Sequence, residues 1–156
     1  MRSAVAICVV ALGCASVQED PRLYGAWKSN YERTVAEFKA VPGITAEQLA
    51  ALSDPELFGH MIQIYGPGEA IVIYEGECTR TSYEVVARAE FYVDITYYDD
   101  FLEEQATKRI FFEPGAIWLR VGKAREIFTK IDVEAAKAEH ECLSPLLGAS
   151  RDASAG

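Results

Sequence analysis

From His60 to Ile131 apolar side chains recur at every second position, in runs separated by short connectors rich in glycine and proline. The clearest run is Glu90 to Tyr98, where Phe91, Val93, Ile95 and Tyr97 alternate with Tyr92, Asp94, Thr96 and Tyr98. A period of two sends successive side chains to opposite faces of an extended chain, so each run has one apolar and one wetter face. Similar runs span Met61 to Tyr65, Ala70 to Glu75, Thr81 to Arg88, Gln105 to Glu113, Ala116 to Val121 and Arg125 to Ile131. The connectors Gly66-Pro67-Gly68, Glu75-Gly76-Glu77, Pro114-Gly115 and Gly122-Lys123 are too short for parallel crossovers, which leaves an antiparallel meander. With Leu23 to Lys28 as a first strand the count reaches about eight, enough for a sheet to close on itself and remove its exposed edges. The expected fold is mainly β: an antiparallel meander of about eight strands forming a barrel or a strongly curled sheet.

Two stretches break this period. After the first strand, Ser29 and Glu32 have the form of a capping box, and Tyr31, Val35 and Phe38 share a helical face until Pro42-Gly43. Thr45 with Gln48 repeats the device, Leu49 and Leu52 share a face, and Gly59 ends a helical insertion over Ser29 to Gly59. At the other end, Asp132 is placed to cap a short helix carrying Val133, Ala136, His140 and Leu143 on one side. The organisation expected is a leader over 1–13, a polar tether over 14–22, a single β domain over 23–143 and a small, polar, disordered tail over 144–156.

The leader rests on Arg2 followed by the apolar run Ser3 to Gly13. A positive start, a short greasy core and small residues before a cut site describe a secretory signal, and a run this short cannot cross ~30 Å of hydrocarbon as a helix. Ala11-Leu12-Gly13-Cys14 resembles the lipobox of bacterial lipoproteins, with Ala11 where that family prefers Leu. The resemblance implies that Cys14 carries a diacylglyceryl group as the mature N-terminus. Several acyl chains then hold the protein to a membrane, which one chain does only weakly. Ala15, in place of an inner-membrane retention Asp, implies the outer membrane, facing the periplasm. The same small residues also suit ordinary signal peptidase, which would release a soluble periplasmic or secreted protein.

Four cysteines divide cleanly under this reading: Cys8 leaves with the leader, Cys14 carries lipid, and Cys78 and Cys142 remain as a pair. An exported protein meets an oxidising compartment, where a bridge between them would constrain a long loop by on the order of 4 kcal/mol. The alternative is two separate thiols. No Cys-x-x-Cys is present, so redox and zinc motifs have no support.

Function classes narrow by exclusion. The net charge of −9 repels phosphate backbones, so nucleic acid is not an expected partner. Lys108, Arg109, Arg120, Lys123, Arg125 and Lys130 cluster late in the chain, interleaved with Glu103, Glu104, Glu113 and Glu126, and read as solvated strand faces, with a patch for an anionic ligand as the alternative. His60 and His140 are too few and too separated for a histidine triad or a multi-histidine metal site. Asp99, Asp100, Glu103 and Glu104 crowd one connector without calcium-loop spacing, as a solvated hairpin tip does. No catalytic constellation, metal site or cofactor motif is expected.

Gly25-Ala26-Trp27 on the first strand, the up-and-down strand series and Arg125 on the last strand together resemble the lipocalins. In that family the tryptophan of Gly-x-Trp sits beneath one barrel end and a late arginine packs over it, which implies Trp27 and Arg125 as a packing pair. The helical insertion is a departure from the family pattern. The resemblance implies a binding protein for a small apolar or lipid-like ligand, with Trp27, Tyr65, Tyr74, Phe91, Val93, Phe112 and Trp118 as candidate lining. The alternative is a barrel whose own side chains fill it, with the insertion plugging the open end, acting through its outer surface. An apolar void of ~300 Å³ or more separates the first from the second.

Overall fold

In a computed structural model of the chain, which describes residues 19–100, 102–140 and 142–143, eight strands close into one antiparallel barrel. The strands are β1 (Gly25–Ser29), β2 (Ile62–Gly66), β3 (Glu69–Tyr74), β4 (Glu77–Arg88), β5 (Tyr92–Asp99), β6 (Glu104–Glu113), β7 (Ala116–Val121) and β8 (Ala124–Ile131). Each pairs with its neighbour in sequence, and β8 returns to β1 through Ala26↔Ile131 to Ser29↔Phe128. The meander expected from the alternation is the one that forms. The leader, Cys14 and the tail from residue 144 lie outside the described residues.

Inward-facing positions build one core. Trp27, Tyr65, Tyr83, Val93, Ile110 and Phe128 are all buried in it, and Tyr97, Phe112 and Leu119 pack at its margins. A 3-10 turn, Pro21–Leu23, crosses the end of the barrel where β1 begins and puts Leu23, fully buried, into that core. The polar tether expected over 14–22 is therefore too long. Asp20 is 2% exposed, and its carboxylate binds the Arg22 backbone N–H and guanidinium.

A second apolar layer lies outside the wall. Ile62, Ile64, Ile71 and Ile73 point away from the barrel axis, so β2 and β3 are greasy on both faces. They are covered by α3 (Val133–Glu139) and the turn after it, through Ala136 and Leu143. Asp132 caps α3 as expected, accepting from the Glu134 and Ala135 N–H groups. The cover is tied down by a disulfide between Cys78 on β4 and Cys142, 64 residues apart with Cα atoms at 5.9 Å.

The insertion contributes α1 (Tyr31–Lys39) and α2 (Ala46–Leu52). Thr45 and Gln48 form the capping box foreseen for α2. At α1 the cap is Asn30, whose side chain accepts from Arg33 N–H, and not Ser29. Ser29 is the last residue of β1 and buried, because its hydroxyl has a better use inside, described below. α1 lies along β8 where β1 has ended, so a helix takes over the edge that a longer strand would have covered.

Candidate functional site

The seven lining candidates divide into two sets. Trp27, Tyr65 and Val93 are buried in the core, and Phe112 packs against it. Tyr74 and Phe91 are 38% and 64% exposed. Trp118 lies on the outer face, stacked on Phe111 with ring centroids 3.8 Å apart. Phe91 precedes β5, in the turn after β4, and Tyr74 is the last residue of β3, so both sit where the chain leaves the wall. Trp118 follows Ile117, which points inward, and so must point out.

The Trp27–Arg125 pair does not form. Arg125 lies over Trp118 instead, 5.2 Å from the ring centroid, and its guanidinium is paired with Glu37 of α1. The cation over Trp27 is Lys130, also at 5.2 Å, because Lys130 is the β8 residue in register with Trp27. Arg125 is five positions earlier on β8, before its pairing with β1 begins at Phe128. Trp27 Nε1 donates to the Leu23 carbonyl at 2.6 Å, which anchors the 3-10 turn to the barrel end.

The interior is packed by large side chains, with a small polar set embedded in it. Tyr65 and Tyr83 meet edge to face at 5.7 Å. Tyr65 donates to Gln63 Oε1, and Tyr83 to the Gly66 carbonyl. Burial pushes the Tyr65 phenol far above its usual range and neighbouring Tyr83 reinforces this, so it stays a neutral donor. Near the α1 end, the Ser29 hydroxyl donates to Glu126 Oε1 at 2.7 Å and accepts from Gly59 N–H at 3.0 Å. Burial raises the pKa of Glu126, while Ser29 and the charge of Lys108 pull it back. Burial likewise pulls Lys108 down to about 8.

An apolar hollow lies outside the barrel. A groove of about 560 Å³ runs between the insertion and the β7–β8 turn. Phe38, Val41, Ile44 and Leu52 form one side, and Val121 and Ala124 the other. Phe38 stacks at a tilt on Phe58, centroids 5.3 Å apart, which fixes the floor of the insertion. Helical periodicity makes these residues readable as apolar faces, but nothing in their spacing says that two short helices would leave room between them and a hairpin tip.

The two histidines, distant in sequence, line one pocket of about 220 Å³ with Glu56 and Glu75. Among the described residues no group of three or more His, Cys, Asp or Glu is placed to hold a metal ion, and His60 Nε2 is occupied by the Pro55 carbonyl at 2.8 Å. Among the described residues no helix is long and apolar enough to cross a membrane.

Sequence reasoning missed Lys108 and Glu126, both classed with the solvated charges. A signal was present: Lys108 is in phase with Ile110 and Phe112, so strand alternation alone sends it inward. Compared with protein-family models, curated proteins and solved structures, the chain gives no match.

Proposed function

We propose that this barrel is an exported, lipid-anchored binding protein for a small apolar or lipid-like molecule, held in the groove between the α1–α2 insertion and the β7–β8 turn. The observation that carries this reading is the groove itself. Its volume lies within the ~300–1,000 Å³ typical of small-molecule sites, and its walls are predominantly hydrophobic. The interior supports the relocation from barrel to groove, since Trp27, Tyr65 and Phe128 occupy the space a central ligand would need. The Cys78–Cys142 bridge supports an oxidising compartment, as does the leader-like sequence from Arg2 to Gly13. The lipocalin resemblance lends the reading only an analogy, because a fold does not fix a function.

The test is a titration of the purified, delipidated protein with oleate, followed by displacement of a fluorescent fatty acid. Saturable binding that is lost in Val41→Asp supports the groove. Absence of saturable binding, or binding indifferent to that charge, removes it. The anchor is tested by Cys14→Ser, which should move the protein from the detergent to the aqueous phase on phase separation; unchanged partitioning contradicts lipid attachment. The filled interior also favours a second reading, a scaffold protein of the envelope acting through its surface, and failure of the oleate titration with anchoring intact would leave that reading standing.

A further inference from the structure

The barrel wall is not uniformly laced. β5 pairs with β6 over its whole length, from Tyr92↔Phe111 to Asp99↔Glu104, but β6 and β7 pair only through Phe111↔Trp118, Phe112↔Ile117 and Glu113↔Ala116. Beyond that point the first half of β6 and the end of β7 separate, opening a cleft of about 480 Å³ through the side of the barrel. Tyr97, Leu119 and Val121 give it apolar walls, and Lys108 and Glu126 face it from within.

Lys108 is the group that needs explaining. Its ammonium lies 5.4 Å from the Tyr97 ring centroid and makes no hydrogen bond or ion pair with any described residue. Glu126 is near enough to favour the charge, yet no ion pair joins the two, and its Oε1 is engaged by Ser29. Desolvation brings the Lys108 pKa to about 8, the cost of holding a cation in a partly desolvated cleft with no anion paired to it. Of the two guanidinium groups on the lining, Arg109 is spoken for by both oxygens of Asp94, at 2.7 and 2.8 Å. Arg120, on the rim at the end of β7, has no such partner among the described residues. In a strongly acidic protein this is a local surplus of positive charge beside apolar walls.

We propose that the β6–β7 cleft binds a small organic anion, a carboxylate on an apolar body, with its charged end on Lys108 and Arg120. The carboxylate supplies the acceptors that Lys108 lacks, and charge-assisted hydrogen bonds in a partly desolvated cleft are the strong kind. The apolar body lies against Tyr97, Leu119 and Val121. This site is separate from the groove of the proposed function, although Val121 borders both.

The probe is 4-phenylbutyrate, with 4-phenylbutan-1-ol as its neutral analogue, titrated calorimetrically into the purified protein. Wild type should bind the acid saturably and the alcohol about ten-fold more weakly, as expected when one ionic contact is lost. Lys108→Met should weaken the acid by about ten-fold, and Arg120→Gln, an exposed change that leaves the core untouched, by several-fold. The groove variant Val41→Asp should leave the affinity unchanged. The proposal is overturned if wild type shows no saturable binding, if acid and alcohol bind equally, if Arg120→Gln and Lys108→Met both retain full affinity, or if only Val41→Asp weakens it, which would place the anion in the groove. Arg120→Gln carries the test if Lys108→Met loses its native circular dichroism.

Discussion

Lys130 holds its ammonium 5.2 Å from the centroid of the Trp27 ring, on the strand paired directly beside it. The same lysine explains the glycine two residues earlier. Gly25 has φ +124°, and a Cβ built there would lie 3.0 Å from Lys130 Cε. Gly25-Ala26-Trp27 is thus one device, in which a left-handed backbone and an open flank let the lysine stem lie down toward the indole.

Gly25→Ala should therefore destabilise the protein by about 1–3 kcal/mol, since an L side chain is strained at that φ whatever its surroundings. Lys130→Ala in the Gly25→Ala background should return only the steric part. Urea unfolding of both single variants and the double variant separates the two, and a double variant as stable as Lys130→Ala alone would show that no backbone strain is present.

The bridge between Cys78 and Cys142 closes a loop of 64 residues, and the chain it holds is the lid over Ile62, Ile64, Ile71 and Ile73. Loop entropy sets the contribution at about 4 kcal/mol before any native-state strain. Cys142→Ser should lower the melting temperature by on the order of 10 °C. Dithiothreitol should bring wild type to the same temperature and leave the variant where it was. A wild-type melt indifferent to reductant would mean that the lid is held by Ala136 and Leu143 alone.

Alternation carried the fold because it is a backbone signal: Val93, Ile95 and Tyr97 point one way in any strand, and short turns leave antiparallel pairing as the sole option. The same signal misled at the ends. Phe91 is in phase with Val93, yet the strand begins at Tyr92 and the turn carries Phe91 into solvent. On β7 both faces are apolar, so period alone could not say that Trp118 pairs with Phe111 outside while Ile117 faces in. The choice of Asn30 over Ser29 as helix cap depended on Glu126, 97 residues away in sequence. The groove and the cleft were illegible for a related reason. Each is made by what fails to pack, the helices against a hairpin and β6 against β7, and local patterns report only what does.

Acid should act through Asp20. Its hydrogen bond from the Arg22 side chain holds the carboxyl below the usual carboxylate range, against the opposing effect of burial. The folded state thus binds its proton more weakly than the unfolded chain, so this contribution is complete above the ordinary carboxylate pKa near ~4 and is lost as pH falls through the lowered folded value. Asp20→Asn should cost roughly 1–3 kcal/mol at neutral pH, a charge-assisted bond being replaced by a neutral one. The difference from wild type should be flat between pH 5 and 7 and shrink below about pH 4. Urea unfolding across that range measures it, and a difference that stays constant to low pH would show that Asp20 keeps an ordinary pKa.

At the β8 edge a helix stands in for a strand. β1 stops at Phe128↔Ser29, and the next backbone groups on that side of β8 belong to Ile127. Its carbonyl accepts from Asn30 N–H at 2.7 Å, continuing the ladder by one bond. Its N–H has no strand to meet and donates to Thr34 Oγ1 of α1 at 3.0 Å. Thr34 is fully buried, so water cannot replace that acceptor. Thr34→Val keeps the shape and adds apolar surface but orphans a buried N–H, a change of about 1–3 kcal/mol in the destabilising direction. Thr34→Ser keeps the acceptor and loses a methyl group, at roughly 1 kcal/mol. The expected order of stability is Thr, then Ser, then Val, whereas burial of apolar surface alone would put Val first and Ser last. If chemical denaturation ranks Val at or above Thr, the edge of β8 is satisfied some other way and α1 is held only by its apolar face.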